Sequence, residues 1–366
     1  MALERSQLSP SELSPTVAKA LASGATRKMA ARGLAPLPRP ADMVTALYQL
    51  SLDGEAEVAK AAATTARNLP DAVLAGALED ASVDARVLDF FASFLGQRAE
   101  LLERVIVNRS TAGATIAELA GSASTADVDL IAQNETRLLA HPAIIAAMFH
   151  NPHARMSTVD RAIELAARNQ IEVPGIPGWE AVAKAALTAK RGGSASATGG
   201  EIVEADDDLF ASFVAAESET SSPAAEEEGG RTLNLAKMTI PQKIRAATLG
   251  NKFVRTQLIR DSNKLVAAAA IKAPGVTDIE ASKYASNHSL AEDVIRYIST
   301  RRDWTKNYGT KRALILNPKT PIADAMRFIP HLRERDLRMV ARSKGIASAV
   351  STHAKKLLTN RGSKKK

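Results

Sequence analysis

The stretch "ILNPKTPIADAM", residues 315–326, decides the fold because it marks where one short helix ends and the next begins. An apolar run stops at Asn317, a proline-containing turn follows, and Thr320 precedes the next apolar run. A similar phrase, an apolar run, an asparagine, a turn and a residue that can cap a helix, occurs in "FHNPHARMSTVDRA", residues 149–162, and in "IVNRSTAGATIAEL", residues 106–119. We interpret this phrase as the elbow of a helical hairpin that the chain uses repeatedly.

Each elbow is expected to combine a helix stop with a helix start. Asparagine tolerates the left-handed or capping conformation at the end of a helix. The predicted elbow asparagines are Asn68, Asn108, Asn151 and Asn317. A polar side chain in the following turn then caps the next helix. The residues predicted for that role are Asp71, Thr111, Ser157 and Thr320.

The hydrophobic pattern is helical throughout. From residue 41 onward apolar side chains recur at helical spacing, and no window alternates in the manner of a strand. Capping boxes are predicted at Thr239-x-x-Gln242, Thr277-x-x-Glu280 and Ser289-x-x-Glu292. Aromatic residues make up only 4% of the chain, so its core must be built from Ala, Leu, Ile and Val. The sequence therefore predicts an all-α protein made of stacked short helical hairpins.

The stretch "LYQLSLDGEAEVAKAA", residues 47–62, resembles HEAT repeats, with an apolar helix, an acidic turn and a second helix that carries Val58. The arginine that such repeats carry after the valine is Lys60 here, displaced by one residue. The resemblance, to helical-repeat families of the HEAT and leucine-rich-variant type, covers residues 41–190 and 240–358. It implies an α-solenoid and a binding surface, and it implies no chemistry.

Charge divides the chain into parts. Residues 231–366 hold 29 Lys and Arg against 9 Asp and Glu, whereas residues 194–230 hold ten acidic residues and no basic one. The composition of residues 194–230, which are rich in Gly, Ser, Ala and acidic residues, is typical of a disordered linker. The predicted parts are a flexible lead-in (1–40), a neutral helical-repeat module (41–193), an acidic disordered linker (194–230), a basic helical-repeat module (231–360) and a basic tail (361–366).

The basic module is expected to bind nucleic acid or another polyanion. Its cations lie close to three of the four tyrosines and one of the two tryptophans, and its acids are too few to pair them. Phosphates require spaced cations, and bases can stack on aromatic rings. The candidate residues are Arg296, Tyr297, Arg301, Arg302, Trp304, Lys306, Tyr308, Lys311, Arg312, Arg333, Arg335, Arg338 and Arg342. DNA and RNA remain open, and the N-terminal module is expected to recruit a protein.

An apolar island interrupts the acidic linker. Leu209, Phe210, Phe213 and Val214 follow three consecutive aspartates in "EADDDLFASFVAA". One hypothesis is a peptide motif that folds into a groove, on a partner or on the basic module of this chain. The alternative is a helical fragment without a partner. The linker as a whole is a candidate internal mimic of phosphate.

Other function classes have little support. The chain has no cysteine, no signal-peptide pattern and no apolar run long enough for a membrane span, so we expect a cytoplasmic protein. Nucleotide-binding and nucleophile-elbow motifs are absent, and His141, His150 and His153 lack the companions of a metal site. We expect neither an enzyme nor a cofactor. Two alternatives stay open: a protein scaffold that docks acidic partners, and a DNA glycosylase built from HEAT-like repeats, with Asp303 beside Trp304.

Overall fold

Every regular element in the part of the chain that the structure describes is helical. The computed structural model describes residues 5–96, 98–189, 235 and 238–363. The predicted all-α class is confirmed. The chain forms two compact units, Met1–Trp179 and Glu180–Lys366. The predicted acidic linker, 194–230, and its apolar island lie outside the described residues.

The first unit is a succession of short helices. They are α1 (Pro15–Leu21), α2 (Gly24–Ala31), α3 (Pro40–Ser51), α4 (Ala56–Arg67), α5 (Asp71–Glu79), α6 (Ala85–Ala92), α7 (Ala99–Val107), α8 (Gly113–Ala120), α9 (Thr125–Ala132), α10 (Glu135–Ala140), α11 (Ala143–His150) and α12 (Met156–Arg168), followed by α13 (Trp179–Ala189), which starts at the last residue of this unit.

The second unit continues in the same manner. Its helices are α14 (Ile240–Leu249), α15 (Lys252–Leu258), α16 (Lys264–Lys272), α17 (Asp278–Ala285), α18 (Glu292–Thr300), α19 (Arg302–Lys306), α20 (Tyr308–Leu316), α21 (Ile322–Phe328), α22 (Glu334–Arg342) and α23 (Ser348–Ser363). A short 3-10 helix, Ile329–His331, follows α21 directly.

Helices pack on a helix two or three places further along the chain, as expected for stacked hairpins. In the first unit α3 packs on α5, α5 on α7 and α7 on α9, while α8 packs on α11. In the second unit α14 packs on α16, α16 on α18, and α17 on α20. Packing between these helices buries the apolar side chains in the interior of each unit.

The predicted lead-in, residues 1–40, holds two helices in the structure. Leu8, Val17 and Ala30 are buried. Ser14 followed by Pro15 is typical of a turn, but here the pair starts α1. Pro15 is the first residue of the helix, and the Ser14 hydroxyl accepts a hydrogen bond from the Val17 amide at 3.2 Å. Proline fits this position because its missing N–H would have no helical partner there.

Asp42 ties this segment to α3. Its carboxylate is buried and accepts hydrogen bonds from the hydroxyls of Ser14 (2.8 Å) and Thr16 (2.7 Å) and from the guanidinium of Arg39 (2.8 Å). Burial opposes ionisation of this group, but the hydrogen bonds outweigh it and lower the pKa of Asp42. An ionised carboxylate thus ties the start of α1 to α3.

Three of the predicted elbow asparagines bridge consecutive hairpins. Their side-chain amides donate to two carbonyls at the end of a helix about thirty residues earlier, and their Oδ1 atoms accept from the backbone amide two residues ahead. Asn108 donates to Leu78 and Asp80 (2.7 and 3.3 Å), Asn151 to Ala120 and Ala123 (2.8 and 2.9 Å), and Asn317 to Ala285 and Asn287 (2.8 and 3.2 Å). We call Asn108, Asn151 and Asn317 the bridging asparagines.

The predicted elbow asparagines end their helices at the C-cap position, as expected, but the left-handed alternative is wrong. The backbone of the three bridging asparagines is extended, with φ between −85° and −60°, and none is left-handed. Asn68 ends α4, is exposed and makes no such bridge to any residue that the structure describes. Asparagine is used here because its amide can donate twice while its oxygen accepts, which satisfies carbonyls that helix ends leave without partners.

The predicted caps of the elbows are also wrong. The helices that follow begin after Pro70, Ala112, Arg155 and Pro321, none of which caps through its side chain. Asp71 and Ser157 lie inside the first turn of their helices. The hydroxyls of Thr111 and Thr320 instead donate back, at 2.6 Å, to the carbonyls of Val105 and Leu314 in the preceding helix. The threonines therefore complete the end of one helix.

Two of the three predicted capping boxes are confirmed, at Thr239 and Gln242 and at Thr277 and Glu280. The third, at Ser289, is wrong because α18 begins only after Ala291. The amide and hydroxyl of Ser289 donate to Asn287 Oδ1 at 2.9 and 2.7 Å. Ser289 thus forms a local turn with Asn287 instead of capping α18.

Candidate functional site

Helix α22 presents a row of arginines on its outer face. Leu337, Val340 and Ala341 are buried, which turns the opposite side of the helix outward. That side carries the exposed residues Arg335, Arg338, Met339 and Arg342. Their spacing of three, four and seven residues places them along one stripe, because a helix turns once in 3.6 residues.

A groove runs beside this row. It has a volume of about 760 Å³ and is lined by Leu316, Glu334, Arg335, Arg338, Met339, Arg342 and Ser343. We call it the α22 groove. Leu316 belongs to the end of α20, so two packed helices form its walls. Its chemistry is mixed, with three guanidinium groups around an apolar pair, Leu316 and Met339.

The charge of the α22 groove is only partly neutralised. The guanidinium of Arg338 contacts the carboxylate of Glu334, one helical turn away, at 2.5 Å. Arg335 and Arg342 have no ion pair among the residues that the structure describes. Three cations and one anion therefore line the α22 groove, and two of the cations, Arg335 and Arg342, are available to an anionic ligand.

A second set of contacts fixes α22 on α20. The Tyr308 hydroxyl donates to Asp336 Oδ2 at 2.5 Å, and Arg312 Nε lies 3.2 Å from Asp336 Oδ1. The Arg333 amide donates to the Tyr308 hydroxyl at 3.0 Å, and its guanidinium lies 5.0 Å from the centre of the tyrosine ring. Partial burial, together with the hydrogen bond to Asp336, raises the pKa of Tyr308. These contacts position the helix that carries the arginine row.

The predicted aromatic residues of α18 and α19 form a separate cluster. The rings of Tyr297 and Trp304 meet edge to face, with centres 5.9 Å apart. The guanidinium of Arg301 lies 5.4 Å from the centre of the tyrosine ring and 5.7 Å from that of the tryptophan, and Lys272 Nζ lies 5.7 Å from the tyrosine. Trp304 is only 8% exposed. Its indole is therefore packed within the protein instead of being open to a base.

Several candidate cations have acidic partners, contrary to the expectation drawn from the scarcity of acids. Arg296 pairs with Glu292 at 2.7 Å, and Lys306 pairs with Asp303 at 2.9 Å. The hydrogen bond from Lys306 lowers the pKa of Asp303. Charge counting misses such pairs because one acid at the right helical spacing neutralises one particular cation. Exposed pairs of this kind are weak, so they do not remove the basic character of the surface.

The remaining predicted residues are distributed around these two clusters. Arg302 is exposed at the start of α19, and Lys311 is half-buried on α20. Arg312, Arg333, Arg335, Arg338 and Arg342 are brought together at α22 with Tyr308. Leu209, Phe210, Phe213 and Val214 of the predicted peptide motif lie outside the described residues. Of the predicted basic tail, Arg361 belongs to α23 and donates to the carbonyls of Leu332 and Pro330.

Sequence reasoning missed Asp336, Leu316 and Met339. Asp336 was not singled out, although an acid in the first turn of an arginine-rich helix suggests a partner for a neighbouring cation. The apolar lining becomes visible only when α20 and α22 are placed side by side. Within the described residues, no group of three or more His, Asp or Glu side chains is arranged to hold a metal ion.

Comparisons with known proteins add no further assignment: the chain matches no family model, no curated protein and no solved structure. The resemblance to helical repeats of the HEAT type therefore stays a prediction. Among the described residues, no helix combines the length and apolar character needed to cross a membrane.

Proposed function

We propose that this protein is a non-enzymatic binding protein whose C-terminal unit binds nucleic acid through phosphate contacts at the α22 groove. The observation that carries the proposal is the exposed row of Arg335, Arg338 and Arg342, of which the first and last have no ion pair in the described part of the chain. The row extends about 10 Å along α22, from a rise of about 1.5 Å per residue. Duplex DNA carries one charge in about every 1.7 Å, so several phosphates lie within that length.

The mode of binding follows from what is exposed. Trp304 is buried, and the guanidinium of Arg333 lies over the ring of Tyr308, so base stacking on these rings contributes little. Guanidinium groups read phosphates without regard to sequence. The proposed complex is therefore electrostatic and depends on the shape and charge of the ligand.

The apolar lining of the α22 groove favours a second candidate, a protein scaffold that docks acidic partners. Met339 is 37% exposed, and Leu316 lies beside it. An acidic segment with apolar side chains would cover both residues, as a phosphate backbone does not. No comparable observation favours a glycosylase, because the Asp303 side chain is 81% exposed and paired with Lys306.

The test is a pair of substitutions with a matched control. In the full chain, Arg335→Ala with Arg342→Ala should weaken binding to a labelled mixed-sequence DNA duplex or single-stranded RNA by at least about tenfold, since phosphate contacts contribute to affinity whatever the sequence. Arg155→Ala with Arg168→Ala removes the same charge from exposed sites of the first unit and should leave binding almost unchanged. Equal losses in both double variants would reject the groove as the site and leave only a net-charge effect.

A further inference from the structure

Besides phosphate, the α22 groove also matches an acidic peptide with apolar side chains. The guanidinium groups of Arg335 and Arg342 favour an anionic ligand, whereas the side chains of Met339 and Leu316 favour an apolar group. Burying an exposed apolar side chain is favourable by roughly 25 cal/mol for each Å² removed from water. A ligand that offers both carboxylates and apolar side chains within a few residues would satisfy both parts of the groove.

This chain contains such a sequence. In "EADDDLFASFV", residues 204–214, the carboxylates of Asp206, Asp207 and Asp208 directly precede Leu209 and Phe210, and two further apolar residues follow. No Lys or Arg occurs between residues 194 and 230. The charge of this segment is thus opposite to that of the α22 groove, and its apolar residues directly follow its aspartates in the sequence. These residues lie outside the described part of the chain.

The connection to the second unit is long enough for the segment to reach the groove. Ile240, the first residue of α14, lies 26 positions after Val214, a stretch that extends to at most about 90 Å. A compact chain of the length of residues 238–363 has a radius of gyration of about 14 Å. Attachment to the same chain also gives a ligand an effective concentration on the order of millimolar. Weak affinity is therefore sufficient for substantial occupancy.

We propose that residues 204–214 occupy the α22 groove as an intramolecular ligand and compete there with nucleic acid. The aspartates take the place of phosphates on Arg335 and Arg342, and the apolar side chains cover Met339 and Leu316. The competition rests on the proposed function, whereas occupancy of the groove by the segment does not. Binding of nucleic acid then requires release of the segment, which lowers the apparent affinity of the full chain.

The absence of cysteine allows a direct test by disulfide trapping. The double variant Met339→Cys with Phe213→Cys places one thiol in the groove and one in the segment. The control, Gln257→Cys with Phe213→Cys, places the first thiol at an exposed position of α15 in the same unit. Under one oxidant and at low salt, the groove pair should form an intramolecular disulfide about tenfold faster than the control, as expected for a populated contact. Equal rates would overturn the proposal.

Two further arms separate this inference from the proposed function. Adding Asp206→Asn, Asp207→Asn and Asp208→Asn to the groove pair should slow trapping to the control rate, and an unchanged rate would overturn the charge argument. A mixed-sequence DNA duplex should also slow trapping in the groove pair. Fast trapping that DNA leaves unaffected supports occupancy by the segment and contradicts competition at the groove. Slow trapping in a chain that still binds DNA overturns the inference and leaves the proposed function standing.

Discussion

Replacing Asn317 by alanine tests the role of the bridging asparagines. Asn317 is only 2% exposed, and its side chain donates to the carbonyls of Ala285 and Asn287 and accepts from the Lys319 amide at 3.0 Å. Each hydrogen bond contributes about 1 kcal/mol net, and buried groups left without partners cost at least that much. Asn317→Ala should therefore lower the free energy of unfolding of the second unit by about 3 kcal/mol.

The chain offers a clean assay for this change. It has two tryptophans, Trp179 and Trp304, and only the second lies in the unit that contains Asn317. In a Trp179→Phe background, the fluorescence of Trp304 during urea unfolding reports on that unit alone. With a slope of about 2 kcal/mol per molar urea, the midpoint should fall by about 1.5 M.

Two variants complete the comparison. Asn317→Asp keeps the accepting oxygen but loses both donors, so it should cost at least as much as alanine if the donated bonds matter. Asn68→Ala removes an exposed asparagine at a helix end that makes no bridge among the described residues, and should change the stability of the first unit by less than about 0.5 kcal/mol. If Asn317→Ala proved as mild as Asn68→Ala, the hydrogen-bonded bridge would not hold the hairpins together.

Two other predictions concern packing and pH. A Cβ added at Gly250 would lie 2.4 Å from the backbone oxygen of Ala246, so Gly250→Ala should destabilise the second unit by about 1–3 kcal/mol, whereas Gly345→Ala, with nothing within 4 Å, should be almost neutral by the same urea assay. Because the folded state lowers the pKa of Asp42 below its usual 3.8, its contribution to stability is present above that pH and is lost as the pH falls through the folded pKa. Asp42→Asn should remove this part of the acid dependence of the first unit, as followed by circular dichroism from neutral to acid pH.

The fold could be predicted because its signals are local. Hydrophobic spacing, short segments and capping boxes such as Thr277 with Glu280 all lie within one helix or one turn. The role of Asn317 could not be read in the same way, because the carbonyls that it binds lie about thirty residues earlier in the chain. The start of α1 was missed because Ser14 followed by Pro15 is as typical of a turn as of a helix N-terminus.

The candidate site was predictable only in part. The spacing of Arg335, Arg338 and Arg342 indicates one helical face, and the structure shows that all three are exposed on it. Whether the indole of Trp304 is open to a nucleic-acid base could not be judged from the sequence, since its burial depends on how α18 and α19 pack. Counting charges also could not show that Glu334 forms an ion pair with Arg338. Pairing depends on helical position, and composition carries no such information.

The measurement that tests the central claim most directly is the salt dependence of binding to the full chain. Fluorescence anisotropy with a labelled DNA duplex and with single-stranded RNA gives the observed association constant at each salt concentration. We expect its logarithm to fall linearly with the logarithm of salt, with a slope of about −3 or steeper, and the preferred ligand to identify the nucleic-acid class. Arg335→Ala with Arg342→Ala should reduce the steepness by about 2, one unit for each lost phosphate contact. Absence of binding at low salt, or a slope that this double variant leaves unchanged, would contradict phosphate recognition at the α22 groove.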